Sequence, residues 1–332
     1  MSNPTVVNVV GVGVYTPEEA IELVSRAGVK KGNMRPDKVF MSAVSAGCLL
    51  SFAGAVMVSV TAAPWYQENA PGLIRMVGGL VFPLGLVMIF LTGADLFTGT
   101  NMYTGVAALH GRLSVGKMLL HWFLCFWGNL AGSLFVMALI FGYGGVFKGG
   151  VYKDQVIYLV TAKQIKPQFH EIFLRGIGCN WLVCLACYLG MQAKDLSSKI
   201  VGMWWPIFAF VSLGLDHVVA NMFLIPMGLW LQAPGLTISM YIWKGIIPAG
   251  LGNIIGGAVF CGGYYYWMYI FRQPEITVDG TYYQPRPRED QHTLQVYRSG
   301  DDIEHRANGG GRNSGMDRMK EGDSSDRSSQ TC

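Results

Sequence analysis

Long apolar runs alternate with short polar links over most of the chain. A helix that crosses the hydrocarbon core of a bilayer needs about 20 apolar residues. The second and fifth apolar runs are longer than one crossing requires, and each contains a polar interruption. The pattern therefore predicts an all-α membrane protein with six transmembrane helices, of which the second and fifth are broken. The runs cover roughly residues 39–63, 76–110, 115–142, 170–192, 199–231 and 242–271.

The two ends of the chain are polar. Near the start, Thr16 is predicted to be a helix N-cap, and Glu19 its partner in a capping box, so that a short amphipathic helix precedes the first crossing. Residues 272–332 are rich in Gly and Ser and mixed in charge, which is typical of disorder. The predicted organisation is a cytoplasmic N-terminal segment over 1–38, a transmembrane domain over 39–271 and a disordered cytoplasmic tail over 272–332.

Charge is scarce and unevenly placed. The chain is 51% hydrophobic and 14% charged, against about 25% charged in average globular chains. Lys and Arg favour cytoplasmic loops, and their distribution predicts an integral protein of the plasma membrane with both termini cytoplasmic. The link between the third and fourth crossings is an exception to this rule, because it would lie outside and yet carries four lysines. Either this loop is long enough to escape the rule, or it forms a basic vestibule that concentrates anions. Its lysines are Lys148, Lys153, Lys163 and Lys166.

Three short signatures recur in the same order in the two halves of the chain. GCLL at 47–50 pairs with GCNW at 178–181, and GADLFTGTNM at 93–102 pairs with GLDHVVANM at 214–222. GNLAGS at 128–133 pairs with GNIIGG at 252–257. Each half then holds three crossings, and an odd number forces the halves into opposite orientations. The pattern is typical of the inverted repeats that build many transporters.

The two polar interruptions predict a shared site. Irregular backbone at membrane depth survives only when it is buried in protein or lines a wet cavity. We expect Asp95 and Asp216 to act as helix N-caps, with half-helices starting near 101 and 221, where Asn101 and Asn221 satisfy freed backbone groups. Two helix N-termini would favour an anion. His217, beside Asp216 in an apolar run, is either a functional imidazole or a hydrogen-bond donor across a helix pair.

Five motifs, in order, resemble the formate/nitrite transporter family: GADLFTGT, GNLAGS, GCNWLVCLA, DHVVANMFLIPMG and IPAGLGNIIGG. The resemblance runs from about residue 12 to about residue 271, and FTGTNMYTG is most similar to the fungal nitrite transporters. It implies an aquaporin-like protomer of six helices as a 3+3 inverted repeat. It further implies a homopentamer in which each protomer has its own pore.

The resemblance also implies roles for individual residues. His217 would be the central histidine, Thr98 the threonine facing it and Asn180 a pore-lining asparagine, although Asn180 could instead tie helices together. Asp216 stands where the family commonly has Glu, which leaves its spacing open, and either Lys163 or Lys166 could be the vestibule lysine. The inner constriction would be Leu96, Phe97 and Thr98, and the outer one Phe82, Leu86 and Phe210.

These features predict transport of small monovalent anions, most of all nitrite, coupled to protons. Formate or another short-chain carboxylate is the alternative, and a membrane sensor or scaffold that acts through the tail is an alternative of another class. A neutral-solute channel lacks support, because the sequence has TNM and ANM where such channels place Asn-Pro-Ala. No phosphate loop, metal-ligand spacing or paired nucleophile indicates an enzyme, a cofactor or a metal, and nothing indicates nucleic-acid binding.

Overall fold

The computed structural model describes residues 13–285 of the 332-residue chain. The predicted disorder of the tail falls largely on residues 286–332, outside the described residues. Its described beginning contains a turn in which Val278 and Thr281 exchange backbone hydrogen bonds. Arg26 donates to the Thr281 carbonyl at 3.0 Å, and Tyr15 donates to Asp279 at 2.8 Å. The chain just after the last crossing therefore packs against the N-terminal segment.

Helices make up nearly all of the described region. Four wider π-helical segments continue or join the α-helices, two of them in the sixth crossing. They are Val136–Tyr143, Thr161–Ile165, Tyr241–Ile246 and Ile255–Gly263. The helices are α1 (Pro17–Gly32), α2 (Pro36–Thr61), α3 (Pro64–Asn69), α4 (Pro71–Val81), α5 (Pro83–Thr92), α6 (Phe97–Leu109), α7 (Val115–Phe135), α8 (Gly150–Val160), α9 (Phe169–Gln192), α10 (Leu196–Leu213), α11 (Val218–Trp230), α12 (Ile238–Met240), α13 (Ile247–Ile254) and α14 (Tyr264–Tyr269).

Six stretches of the described chain are long and apolar enough to cross a membrane, which confirms the predicted number. Two shorter helices of 13 residues each, α6 and α11, follow the second and fifth stretches and complete the broken crossings. The crossing stretches are Pro36–Thr61, Pro71–Thr92, Val115–Tyr143, Phe169–Gln192, Leu196–Leu213 and Ile238–Tyr269.

Glycine ends the helix before each break. Gly93 and Gly214 adopt the left-handed conformation, with φ of 75° and 73°, which is the usual C-terminal stop for a helix. We call residues 93–96 the first break and residues 214–217 the second break. Each break is only four residues long, so the half-helices begin at Phe97 and Val218. The predicted starts near 101 and 221 were wrong, because the chain re-enters helix directly after this short extended segment.

Close packing of backbone on backbone holds each half together. A Cβ added at Gly132 would lie 2.0 Å from the Val44 carbonyl oxygen, and one added at Gly256 would lie 2.2 Å from that of Ile177. The two glycines occupy matching places in the GNLAGS and GNIIGG signatures. Helices α2 and α7 therefore approach in the first half as α9 and the sixth crossing do in the second. Small residues allow this approach between membrane helices.

Helix α1 begins as predicted from the sequence. The Thr16 hydroxyl accepts from the Glu19 amide at 3.2 Å, and the Glu19 carboxylate accepts from the Thr16 amide at 2.9 Å. One face of the helix is buried through Ala20, Ile21 and Val24. The N-terminal segment is thus an amphipathic helix packed under the bundle, against α6 and α9.

Candidate functional site

A single asparagine from a neighbouring helix organises each break. Asn129 on α7 accepts from the Phe97 amide at 2.8 Å and donates to the Asp95 carbonyl at 3.0 Å. Asn253 on α13 accepts from the Val218 amide at 2.8 Å and donates to the Asp216 carbonyl at 3.0 Å. Both side chains are fully buried. The matching geometry supplies partners for the backbone groups that each break frees.

The two aspartates do not cap the half-helices, contrary to the prediction. The N-cap positions belong to Leu96 and His217. The Asp95 carboxylate instead accepts from Lys31 Nζ at 2.6 Å, and that of Asp216 lies 3.4 Å from Lys163 Nζ. Each lysine also donates to a carbonyl of its break, at Gly93 and Leu215 respectively. Because a buried carboxylate is stable only when it is paired, the ion pair with a lysine is favoured over capping of the half-helix.

The two asparagines predicted to relieve the breaks behave differently. Asn221 Nδ2 lies 3.4 Å from the Asp216 carboxylate. The Asn101 carboxamide is buried and finds no hydrogen-bond partner among the described residues. Counted from their N-caps, Asn101 is the fifth helical residue of α6 and Asn221 the fourth of α11. One residue turns a side chain by about 100° around the helix, so the two do not face equivalent surroundings.

The contacts of His217 define its tautomer. Its Nδ1 lies 3.0 Å from the Ala220 amide, which can only donate, so Nδ1 accepts and carries no hydrogen. Its Nε2 lies 2.9 Å from Thr98 Oγ1. The proton of the neutral ring is then on Nε2, which donates to Thr98. The Thr98 hydroxyl keeps its own hydrogen for another acceptor, and this contact joins the second break to the start of α6.

A cavity of about 380 Å³ leads from the surface to His217. Exposed Arg75 lies among its lining residues at one end and the imidazole at the other. The rings of Phe82 and Phe210 narrow it, edge to face at 5.9 Å between centroids, and Phe210 stacks on His217 at 6.0 Å. Polar lining residues include Gln67, Gln155, Lys163, Arg175 and Asn221.

The remaining predicted residues of the vestibule and the outer constriction differ in whether they line this cavity. Lys163 lines the cavity, whereas Lys166 is exposed and is not among its lining residues. Leu86 is buried in the core and does not line the cavity beside Phe82.

The residues of the predicted inner constriction are all buried in the first break and α6. Leu96, Phe97 and Thr98 are each at most 4% exposed. The Phe97 ring packs edge to face against Phe126, 5.4 Å between centroids. These three residues are therefore packed in the protein interior, where Thr98 contacts His217.

Asn180 ties helices together, which was one of the two readings left open by the sequence. Its Nδ2 donates to the carbonyls of Thr98, at 3.1 Å, and Asn253, at 2.6 Å. The side chain is fully buried and belongs to the framework that holds the start of α6 against α13.

Sequence reasoning missed Lys31, Asn129 and Asn253 as parts of the site. The two asparagines stand in the repeated Gly-Asn pairs of GNLAGS and GNIIGG. A polar residue repeated at the same depth in both halves was the available signal. Lys31 carries no comparable signal, since it lies among other basic residues before the first crossing.

Two breaks of opposite orientation that meet at a buried imidazole define a membrane channel or transporter with an inverted repeat. The sequence pattern of the formate/nitrite transporter family matches residues 18–267. The chain therefore belongs to that family, which consists of channels and transporters rather than enzymes.

Named relatives agree with this assignment. The chain is 33% identical over 273 residues to a probable formate transporter of Methanothermobacter thermautotrophicus, a match covering 78% of this chain and 99% of the relative. It is 35% identical over 265 residues to the formate channel FocA of Haemophilus influenzae, covering 74% and 92%.

Solved structures show the same fold. A pentameric formate channel with formate bound gives a TM-score of 0.63 at 29% identity, covering 71% of this chain and 98% of that one. An FNT family ion channel gives 0.69 at 27% identity, covering 75% and 98%.

Proposed function

We propose that this protein carries small monovalent anions of weak acids across the membrane, nitrite above all, with formate as the alternative substrate. The observation that carries the proposal is the 2.9 Å contact between Thr98 Oγ1 and His217 Nε2. It places a hydroxyl and an imidazole where the N-termini of two half-helices converge. Helix N-termini carry partial positive charge and favour anions.

Lys163 supplies the attraction at the entrance. Its ammonium group has a side-chain exposure of 19%, and it sits at the second break against fully buried Asp216. The pair leaves one carboxylate oxygen, Asp216 Oδ2, without a partner among the described residues. Arg75 and Arg175 line the same cavity. Together these cations concentrate anions on the outer side. Lys163 belongs to the loop between the third and fourth crossings, whereas Arg75 and Arg175 belong to α4 and α9, so a basic vestibule would be built only in part by the loop.

The phenylalanines oppose the passage of charge. Moving an ionised group out of water into an apolar environment is very unfavourable, whereas the neutral acid meets a much smaller barrier. We infer that the anion waits between Phe82, Phe210 and the first break, and crosses after gaining a proton. The Thr98 hydroxyl, whose hydrogen is free, donates to a substrate oxygen there.

Proton coupling follows from the two ring nitrogens. A proton entering from the acidic side and arriving at Nδ1 of His217 would first make the ring an imidazolium, which then passes its Nε2 proton to the anion. The neutral ring left behind carries its hydrogen on Nδ1 and returns to the starting tautomer before the next cycle. The bond from the Ala220 amide to Nδ1 must open for that arrival. Each transfer therefore loosens the cap of α11 for a moment, so transport is linked to the start of this half-helix.

The test is uptake into liposomes under a pH gradient. We expect His217→Asn to lose proton-coupled uptake, whereas His170→Asn, at an exposed position, changes nothing. Thr98→Ser should retain transport and Thr98→Ala should lose most of it, because only serine keeps the hydroxyl. Undiminished uptake by His217→Asn with an unchanged pH dependence would reject the role of the imidazole.

Nitrite and formate must be compared in one preparation. The FTGTNMYTG segment resembles fungal nitrite transporters, while the two named relatives are a probable formate transporter and a formate channel. We expect faster nitrite uptake at equal concentration and pH. Equal or faster formate uptake would make this chain a formate transporter on the same scaffold.

We further propose a homopentamer in the plasma membrane with both termini cytoplasmic. A similar solved structure is a pentameric formate channel, and the basic N-terminal segment favours the cytoplasmic side. A chain ending at residue 285 should transport as well as the full chain. A membrane sensor or scaffold that acts through its tail predicts a different result. The purified full-length protein would pass no anions, and the truncated chain would lose its activity in the cell.

A further inference from the structure

Beside the first break lies a buried group of three side chains that the transport proposal does not use. We call Asp95, His121 and Cys125 the inner cluster. Their exposures are 0%, 2% and 0%. One ligand atom from each, the carboxylate oxygen, a ring nitrogen and Sγ, lies within 4.8 Å of the other two. His121 and Cys125 are four residues apart on α7, so they share one face of that helix.

Three polar atoms of the inner cluster lack hydrogen-bond partners among the described residues. Among the described residues, neither ring nitrogen of His121 has a hydrogen bond, and Asp95 Oδ2 has none. His121 Nε2 lies 3.8 Å from Asp95 Oδ1, which is too far for a hydrogen bond. A buried polar group without a partner costs about 1–3 kcal/mol. Several such atoms, converging on one point, indicate a missing ligand rather than a packing accident.

The repeat shows that the fold does not require these side chains. When Asn129 is aligned with Asn253, His121 corresponds to Gly245 and Cys125 to Ala249. The second break is built without an imidazole or a thiol at those places. Asp95, by contrast, has its counterpart in Asp216. The inner cluster is therefore chemistry added to the first half alone.

We propose that the inner cluster binds a divalent transition-metal ion of the Zn²⁺ class through the Asp95 carboxylate, a His121 ring nitrogen and Cys125 Sγ. Imidazole, thiolate and carboxylate are the ligand types that Zn²⁺ takes. Tetrahedral bonds of about 2.0–2.3 Å place ligand atoms roughly 3.3–3.8 Å apart. The present separations are therefore within about 1.5 Å of that geometry, which side-chain rotation can supply. Binding releases the thiol proton of Cys125 to water.

Lys31 sets both the access and the strength of this site. Its ammonium group holds Asp95 Oδ1 at 2.6 Å and leaves Oδ2 free. Its side chain is 19% exposed, whereas that of Asp95 is 0% exposed, so the ion enters past Lys31. A neighbouring positive charge weakens cation binding. The site should therefore be of moderate affinity, suited to sensing a metal rather than retaining one permanently.

Occupancy would act on transport through the first break. A metal bound to Asp95 and to two residues of α7 ties that helix to residues 93–96, which end two residues before Thr98. The break would then lose the freedom to adjust as an anion passes. We expect Zn²⁺ applied to the side of α1 to slow uptake, a regulation that is independent of which anion is carried.

The direct test is the absorption spectrum of purified full-length protein titrated with Co²⁺, which substitutes for Zn²⁺ and reports thiolate ligation by a near-ultraviolet charge-transfer band. We expect the band in the native protein, its loss in Cys125→Ser and in His121→Asn, and its displacement by Zn²⁺. The matched controls are Cys48→Ser and His170→Asn, which should keep it. Monodisperse elution in detergent verifies that each variant is folded.

The Co²⁺ titration tests metal binding independently of which anion the protein transports. No band with native protein, or a band that survives in folded Cys125→Ser, would overturn it. Lys31→Gln should bind Co²⁺ at least severalfold more tightly, because a repelling charge is removed; unchanged or weaker binding would contradict the arrangement of ligands. In liposomes, Zn²⁺ should inhibit native protein and leave Cys125→Ser unaffected, and equal inhibition of both would reject the effect on transport.

Discussion

The carboxamide of Asn129 bonds two backbone groups at the first break, so removing it should have a large and measurable effect on stability. In Asn129→Ala the Phe97 amide and the Asp95 carbonyl lose their partner, at 2.8 and 3.0 Å respectively. The third contact, to the Ala43 carbonyl, matters less because that oxygen lies inside α2. Two buried groups left unpaired cost about 1–3 kcal/mol each, hence about 2–6 kcal/mol in total.

Thermal unfolding of purified protein in detergent measures this loss. A cost of that size should lower the midpoint by on the order of 10 °C. The matched control is Asn69→Ala, which removes a single exposed hydrogen bond to the Trp65 carbonyl and should shift the midpoint little. Asn253→Ala, at the equivalent place in the second half, should resemble Asn129→Ala.

The result that would refute the reasoning is equal midpoints for Asn129→Ala and Asn69→Ala, with native uptake into liposomes. It would mean that water or a rearranged backbone satisfies the break without the asparagine. A large stability loss in only one of the two repeat-related variants would show instead that one break carries most of the constraint.

Three further outcomes follow from the cavity and the chain surface. Phe210→Ala should raise anion flux and reduce discrimination between small and bulky weak acids, measured as the ratio of formate to lactate uptake; an unchanged ratio would remove Phe210 from the constriction. Lys163→Met should raise the substrate concentration needed for half-maximal uptake severalfold, whereas the exposed Lys166→Met should not, and equal effects would contradict the assignment of the vestibule. Hydrogen bonds from Ser198 hold the pKa of the Asp195 carboxyl below its ordinary value. The stabilising contribution of this carboxylate is therefore present above about pH 4 and is lost as pH falls through the lower folded-state pKa. Asp195→Asn should flatten the plot of unfolding midpoint against pH in that range, and an unaltered plot would exclude this carboxyl as a source of the pH dependence.

The hydrophobic pattern was sufficient to predict the architecture. Six apolar runs gave the six crossings, and the excess length of the second and fifth gave the two breaks, because the bilayer fixes the length a helix needs. The capping box at Thr16 was also recognisable, since its residue types at fixed spacing have a local mechanism. These features depend on neighbouring residues in the sequence and on the thickness of the membrane.

The details of the breaks depended on partners distant in sequence. Whether Asp95 caps a helix or pairs with a lysine is decided by Lys31, which lies 64 residues away. The same holds for Asp216 and Lys163, 53 residues apart. Local propensity favours aspartate as a cap, but an opposite charge within hydrogen-bonding distance in a dry interior is the stronger interaction. No local pattern in the sequence contains that comparison.

The two halves share a framework and differ in chemistry, and the differences lie where function is proposed. Repeat-related glycines and the pair Asn129 and Asn253 hold both breaks in the same geometry. At the N-cap, however, the first half has Leu96 and the second has His217. The leucine cannot titrate or accept a hydrogen bond, so a single imidazole serves both breaks, and its one donated bond crosses to Thr98 of the other half. An inverted repeat thereby yields an asymmetric site, because the framework is symmetric and the side chains at the two N-caps are not.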